Sequence, residues 1–175
     1  GVSLATPECF AQLESSVDDL WMAEADVDNC FHKIKIPESL GRYFSLPPLT
    51  AGELGLASVN GTIVENGSLV WPCLAVAPMG FTWSLFFAQS INEATTGEAL
   101  KDYGVEELHA AGNAVPLSKD GCRLAYFVHV DNIGVIGVDK GEVEKAMGRL
   151  RACWTSGGSS AGGRDVRHGA WGRGG

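Results

Sequence analysis

Apolar positions along the chain switch between a period of two and a helical period, and the switches mark the elements. Thr6 to Val17 reads as a short helix. Thr6 caps it, Pro7 suits its first turn, and Phe10 and Leu13 form an apolar edge. Leu20 to Val27 reads as a strand that ends on Asp26, with Asp28 just beyond. A tight turn is expected over Asn29 to Lys33, and Pro37 stops the regular run through Ile34 and Ile36. Pro47-Pro48 opens a Gly-rich connection to about Gly67, with a hairpin expected between Thr62–Val64 and Leu69–Leu74.

The break at Pro78-Met79-Gly80 precedes a helix from Thr82 to Ala99. Leu85, Phe86, Ala88 and Ile91 give that helix apolar bulk on several sides, the pattern of a buried helix. Leu124–Val130 and Ile133–Val138 are two β-rich runs separated only by Asp131-Asn132, the mark of a tight hairpin. The last helix starts at Asp139 as cap, with Glu142 three residues on. Val143, Ala146, Met147 and Leu150 then form one stripe facing a core. From Thr155 to Gly175 the chain is Gly, Ser and Arg with little to bury, which predicts a disordered tail after an ordered body over residues 1–154.

With 175 residues, 45% hydrophobic and 19% charged, the chain is long enough for one globular domain and too short for two ordinary ones. It holds no apolar run long enough to cross a bilayer and no signal pattern, so a soluble protein of the cytoplasm or nucleus, without a membrane partner, is expected. Cys9, Cys30, Cys73, Cys122 and Cys153 form no C-x-x-C pair; a zinc site or a disulfide framework would need tighter grouping, and reduced thiols are expected. The formal charge of −8 runs against nucleic-acid binding, which rests mainly on basic side chains.

Three stretches carry candidate chemistry. The first is Ala25-Asp26-Val27-Asp28-Asn29-Cys30-Phe31-His32-Lys33. The second is Ala77-Pro78-Met79-Gly80-Phe81-Thr82-Trp83-Ser84, continued by Leu85-Phe86-Phe87-Ala88-Gln89. The third is Phe127-Val128-His129-Val130-Asp131-Asn132. A carboxylate at a strand end or a turn Asp-Asn is weak by itself, because backbone geometry selects both. Taken in order, the three blocks resemble motifs A, B and C of reverse transcriptases of retroelement type. The resemblance runs from about Trp21 to Trp154, and its most particular part is the second block.

That resemblance implies an α+β fold: a polymerase palm, a split βαβ (ferredoxin-like) antiparallel sheet with helices on one face. It implies RNA-directed DNA polymerase activity, adding deoxynucleotides to a primer 3′-hydroxyl on a template. Two Mg²⁺ or Mn²⁺ ions would serve it, because hard cations that bridge the attacking hydroxyl and a triphosphate take carboxylate oxygens. By the same resemblance Asp26 and Asp131 are the catalytic metal ligands, with the Val27 carbonyl as a third. Phe31 lies beneath the incoming sugar and excludes a ribose 2′-hydroxyl, and Met79 and Gly80 sit against the nascent base pair. Gln89 either contacts the template strand or stabilises its helix. His129 stands where the family has tyrosine and borders the site. Read without the resemblance, Asp26 and Asp28 solvate a strand end and Phe31 is core.

Two departures qualify it. Asn132 occupies the place of a second motif C aspartate, which removes one negative charge from the metal site. The Gly-rich tail arrives where a palm strand should follow the last helix, so an incomplete sheet is expected. By the resemblance, most of the fingers, the thumb and any RNase H segment of a longer polyprotein are expected outside these residues. A catalytically inactive remnant that binds nucleic acid or protein is the alternative.

Overall fold

A computed structural model describes residues 4–5, 7–11, 13–108, 114–156, 161–163 and 167–170. The first turn of helix, α1 (Pro7–Phe10), is short and is followed by a strand, β1 (Leu13–Ser15). The helix expected over Thr6–Val17 is therefore confined to its first turn. Its apolar residues reach the core differently: Phe10, Leu13 and Val17 all pack against one buried cluster. β2 (Asp19–Val27) then alternates as expected, with Ala23, Ala25 and Val27 buried and Asp26 exposed. Asn29 at a φ of 52° turns the chain into α2 (Cys30–Lys33), and α3 (Glu38–Gly41) follows.

Four two-residue strands come next: β3 (Leu49–Thr50), β4 (Ser58–Val59), β5 (Thr62–Ile63) and β6 (Leu69–Val70). β3 pairs with β6 and β4 with β5, both antiparallel, so the expected hairpin between Thr62–Val64 and Leu69–Leu74 is not formed. The reason is local. Asn60-Gly61 takes positive φ at both residues (48° and 79°), the two-residue turn that Asn-Gly favours, and this joins Val59 directly to Thr62.

The remainder comprises α4 (Thr82–Leu100), β7 (Glu106–Glu107), β8 (Val115–Leu117), β9 (Leu124–His129), β10 (Asn132–Gly137), α5 (Lys140–Ser156), β11 (Ala161–Gly163) and β12 (Arg167–Ala170). The main sheet runs β11-β2-β10-β9-β7, with β12 also on β2. β10 lies antiparallel to both β2 and β9. The expectation of a structureless tail after residue 154 is corrected for β11 and β12. They pair antiparallel with the outer side of β2, so a strand does follow the last helix. Edge pairing uses main-chain N–H and C=O groups, which glycine supplies as well as any residue, so low apolarity did not prevent it.

α5 is capped as read: the Glu142 N–H donates to Asp139 Oδ1 at 3.0 Å, and Val143, Ala146, Met147 and Leu150 are all buried. α5 covers β2 and β10 on one face. Gly137 on that face lies against Val143, and Gly97 of α4 against the Tyr126 hydroxyl. The other face carries Leu20, Ala125, Phe127 and Ile136. They join Ala5, Cys9, Val115 and Leu117 in the second half of the core, and Phe10 meets the Phe127 ring edge-on at 5.0 Å.

Contacts divide the chain into two compact units, residues 1–30 with 85–175, and residues 31–84. The second unit holds α3 and the β3–β6 strands. Its main-chain bonds run from Ile34–Ala77 through Phe44–Leu74 to the β3–β6 ladder, and Phe44 meets Phe81 at 5.0 Å. It buries few side chains: Tyr43, Leu46, Ile63, Leu69 and Trp71 are all exposed. The fold is mixed α/β, and no helix among the described residues is long and apolar enough to cross a membrane.

Candidate functional site

Strand register brings the two candidate carboxylates to one end of the main sheet. Asp26, one residue from the end of β2, stands opposite Asn132, the first residue of β10. Asn132 in turn stands opposite His129, the last residue of β9. The hairpin loop is therefore Val130-Asp131 rather than Asp131-Asn132. This one-residue shift puts Asp131 at the tip and Asn132 in the ladder. The Val27 N–H donates to the Asp131 carbonyl at 2.8 Å, so the strand bearing Asp26 is tied to the tip bearing Asp131. On the far side of β2, Gly162 of β11 is the partner of Asp26.

Asp26 is exposed and Asp131 half-buried, while Val27 is buried. Asn132 donates from Nδ2 to Asp131 Oδ1 at 3.1 Å, so the amide that replaces the expected acid holds one oxygen of the remaining one. Two carboxylates are the right donors for a hard divalent cation, and their strands meet, so the residues fit that ligand type. They fit it sparingly. Among the described residues no group of three or more His, Cys, Asp or Glu side chains is placed to hold a metal ion. Any further ligands would have to be amide or main-chain oxygens, water or substrate.

Gln89 is corrected. It is 2% exposed, its Nε2 donates to the Val128 carbonyl at 2.9 Å and to Glu93 at 2.7 Å, and its Oε1 accepts the Val130 N–H at 2.6 Å. With both ends of the amide spent inside the protein, it does not face a template strand; it holds the hairpin. Sequence reasoning missed Asn92, three residues on along α4. Asn92 is 4% exposed and donates to the Val130 carbonyl at 2.7 Å and, more weakly, to Cys30 Sγ at 3.5 Å. The helix is not buried on several sides as expected, since Trp83, Phe86, Phe87 and Ile91 are exposed, but Gln89 and Asn92 at i and i+3 share its buried face and must find partners there.

His129 is the one exposed residue of an otherwise buried β9, and its Nδ1 lies 2.8 Å from the Ala5 carbonyl. A carbonyl only accepts, so Nδ1 carries the proton in that bond. Phe31, Met79 and Gly80 belong to the second unit. There Phe31 is half-buried on α2 and Met79 is 74% exposed. The Phe81 N–H donates to the Pro78 carbonyl, closing a turn in which Gly80 takes a φ of 88°, a conformation that suits glycine.

Compared with models of known protein families and with curated proteins, the chain matches none.

Proposed function

We propose that this chain is the palm core of an RNA-directed DNA polymerase, with Asp26 and Asp131 as its metal ligands. The observation that carries the reading is the register: Asp26 opposite Asn132, and the Val27 N–H on the Asp131 carbonyl. The order β2-α4-β9-β10-α5-β11, with the sheet arranged β11-β2-β10-β9, is that expected of a split βαβ palm and supports it further. Two divalent cations, when bound, would supply Lewis-acid stabilisation of the attacking primer hydroxyl and of the triphosphate. Asp26 and Asp131 would hold them through carboxylate oxygens, with the Val27 carbonyl beside them. Phe31, Met79 and Gly80 enter as sugar- and base-contacting residues through the motif resemblance alone.

A second reading, a catalytically silent remnant, has its own observation. Asn132 takes the place of an acid and its amide engages Asp131 Oδ1. Mn²⁺ titration of the full chain by calorimetry separates the two. The polymerase reading expects binding that falls at least about ten-fold in Asp26→Asn and in Asp131→Asn, and that strengthens in Asn132→Asp as a hard anionic ligand returns. Equal affinity in the parent and Asp26→Asn would sink it. Extension of a template-annealed primer with deoxynucleotides then tests turnover.

A further inference from the structure

Val130 is a buried, β-branched residue at a φ of 58°, where such side chains clash with their own backbone. It is also the first residue of a two-residue hairpin loop, a place that favours glycine. Both of its main-chain polar groups are taken by one face of α4: the N–H by Gln89 Oε1 and the carbonyl by Asn92 Nδ2. Gln89 also holds the Val128 carbonyl, and Asn92 also reaches Cys30, three residues beyond Val27. A pair of buried carboxamides thus grips the tip that carries Asp131 and touches the turn that follows Asp26.

We propose that Gln89 and Asn92 are positioning residues: a brace that holds Val130 in its left-handed conformation and so fixes Asp131 against Val27. Glycine at 130 would take that φ without help. The combination of valine and two buried amides makes the tip conformation depend on α4 instead. The inference rests on the polymerase reading only for what Asp131 is used for; the brace itself does not.

Amide hydrogen exchange on the full chain tests it without any metal. The Val27 N–H reports the tip, because its acceptor is the Asp131 carbonyl. In Asn92→Leu, which keeps bulk and loses the donors, the Val27 and Val130 amides should exchange at least about ten-fold faster through local opening, while Val135 and Met147 keep their rates. Adding Val130→Gly to that variant should restore Val27 protection, although it removes a buried side chain. A merely structural role predicts no such rescue. Unchanged Val27 protection in Asn92→Leu, parallel acceleration of all amides, or failure of the glycine rescue would each overturn the proposal. The Mn²⁺ titration stays separate. A parent chain that takes no Mn²⁺ fells the polymerase reading and leaves the exchange result standing. Mn²⁺ binding with Val27 indifferent to Asn92 fells the brace alone.

Discussion

Tyr126 shows how a single side chain links the core to pH. Its hydroxyl lies 2.9 Å from Glu107 Oε2, and burial first, then the bond to and charge of Glu107 and the charge of Glu93, push its phenol well above the ordinary tyrosine value. Below about pH 10 both folded and unfolded chains keep this proton, and the stabilisation is complete. Above that, the unfolded chain loses the proton first, binds fewer protons than the native state, and stability falls as pH rises. Tyr126→Phe should flatten that decline between about pH 9 and pH 11 while costing about 1 kcal/mol below it for the lost hydrogen bond. Urea unfolding at the two pH values measures both, and an unchanged slope would show that Tyr126 does not set it. Nothing in the local sequence announces this, since Glu107 is 19 residues away.

At the scale of elements, alternation located β2, and continuous β-rich runs located β9 and β10, each to within a residue, because a sheet covered on both faces buries its central strands almost throughout. What alternation could not fix was the loop register, which Val130 decides by its main-chain bonds to α4. Gly134 shows the same dependence on a neighbour. A side chain there would collide with the ring of Phe127, its cross-strand partner. Gly134→Ala should therefore overpack the second core face and cost about 1–3 kcal/mol. In a chain of this size that lowers Tm by roughly 2–4 °C per kcal/mol. An unchanged melting curve would mean that the Phe127 ring moves aside freely. Asn60-Gly61 is a hairpin signal that the expected pairing of Thr62–Val64 with Leu69–Leu74 passed over, whereas β3 and β6, and β7 and β8 further along, carried none. Each is two or three residues long and too short to show a period.

For the whole molecule the decisive quantity is charge. Thirteen Lys and Arg stand against 21 Asp and Glu, and phosphate neutralisation supplies most of the non-specific affinity for nucleic acid. This chain alone should bind a primer–template more weakly than about 10⁻⁴ M at physiological salt, the weak end of non-specific binding. Fluorescence anisotropy at that salt checks it. A dissociation constant near 1 µM would instead require a basic face that composition does not suggest. The polymerase reading survives weak binding, because in that reading the fingers and thumb carry the basic surface.

The sequence by itself determined the long elements and the pairing of the two β-rich runs through Asp131. It also determined the cap and buried stripe of α5, because periodicity, capping and turn chemistry act over a few residues. It supplied Asp26 and Asp131 as candidates by motif order. Only the tertiary structure decided that Asn132 enters the ladder opposite Asp26, that Gln89 and Asn92 serve the hairpin, and that Gly-rich residues near the C-terminal end pair with β2. The strand pairings rest on main-chain hydrogen bonds between distant segments, which carry no side-chain signature. The carboxamides of Gln89 and Asn92 are visible in the sequence, but their main-chain partners lie about 40 residues away and meet them only once the core has brought the strands together.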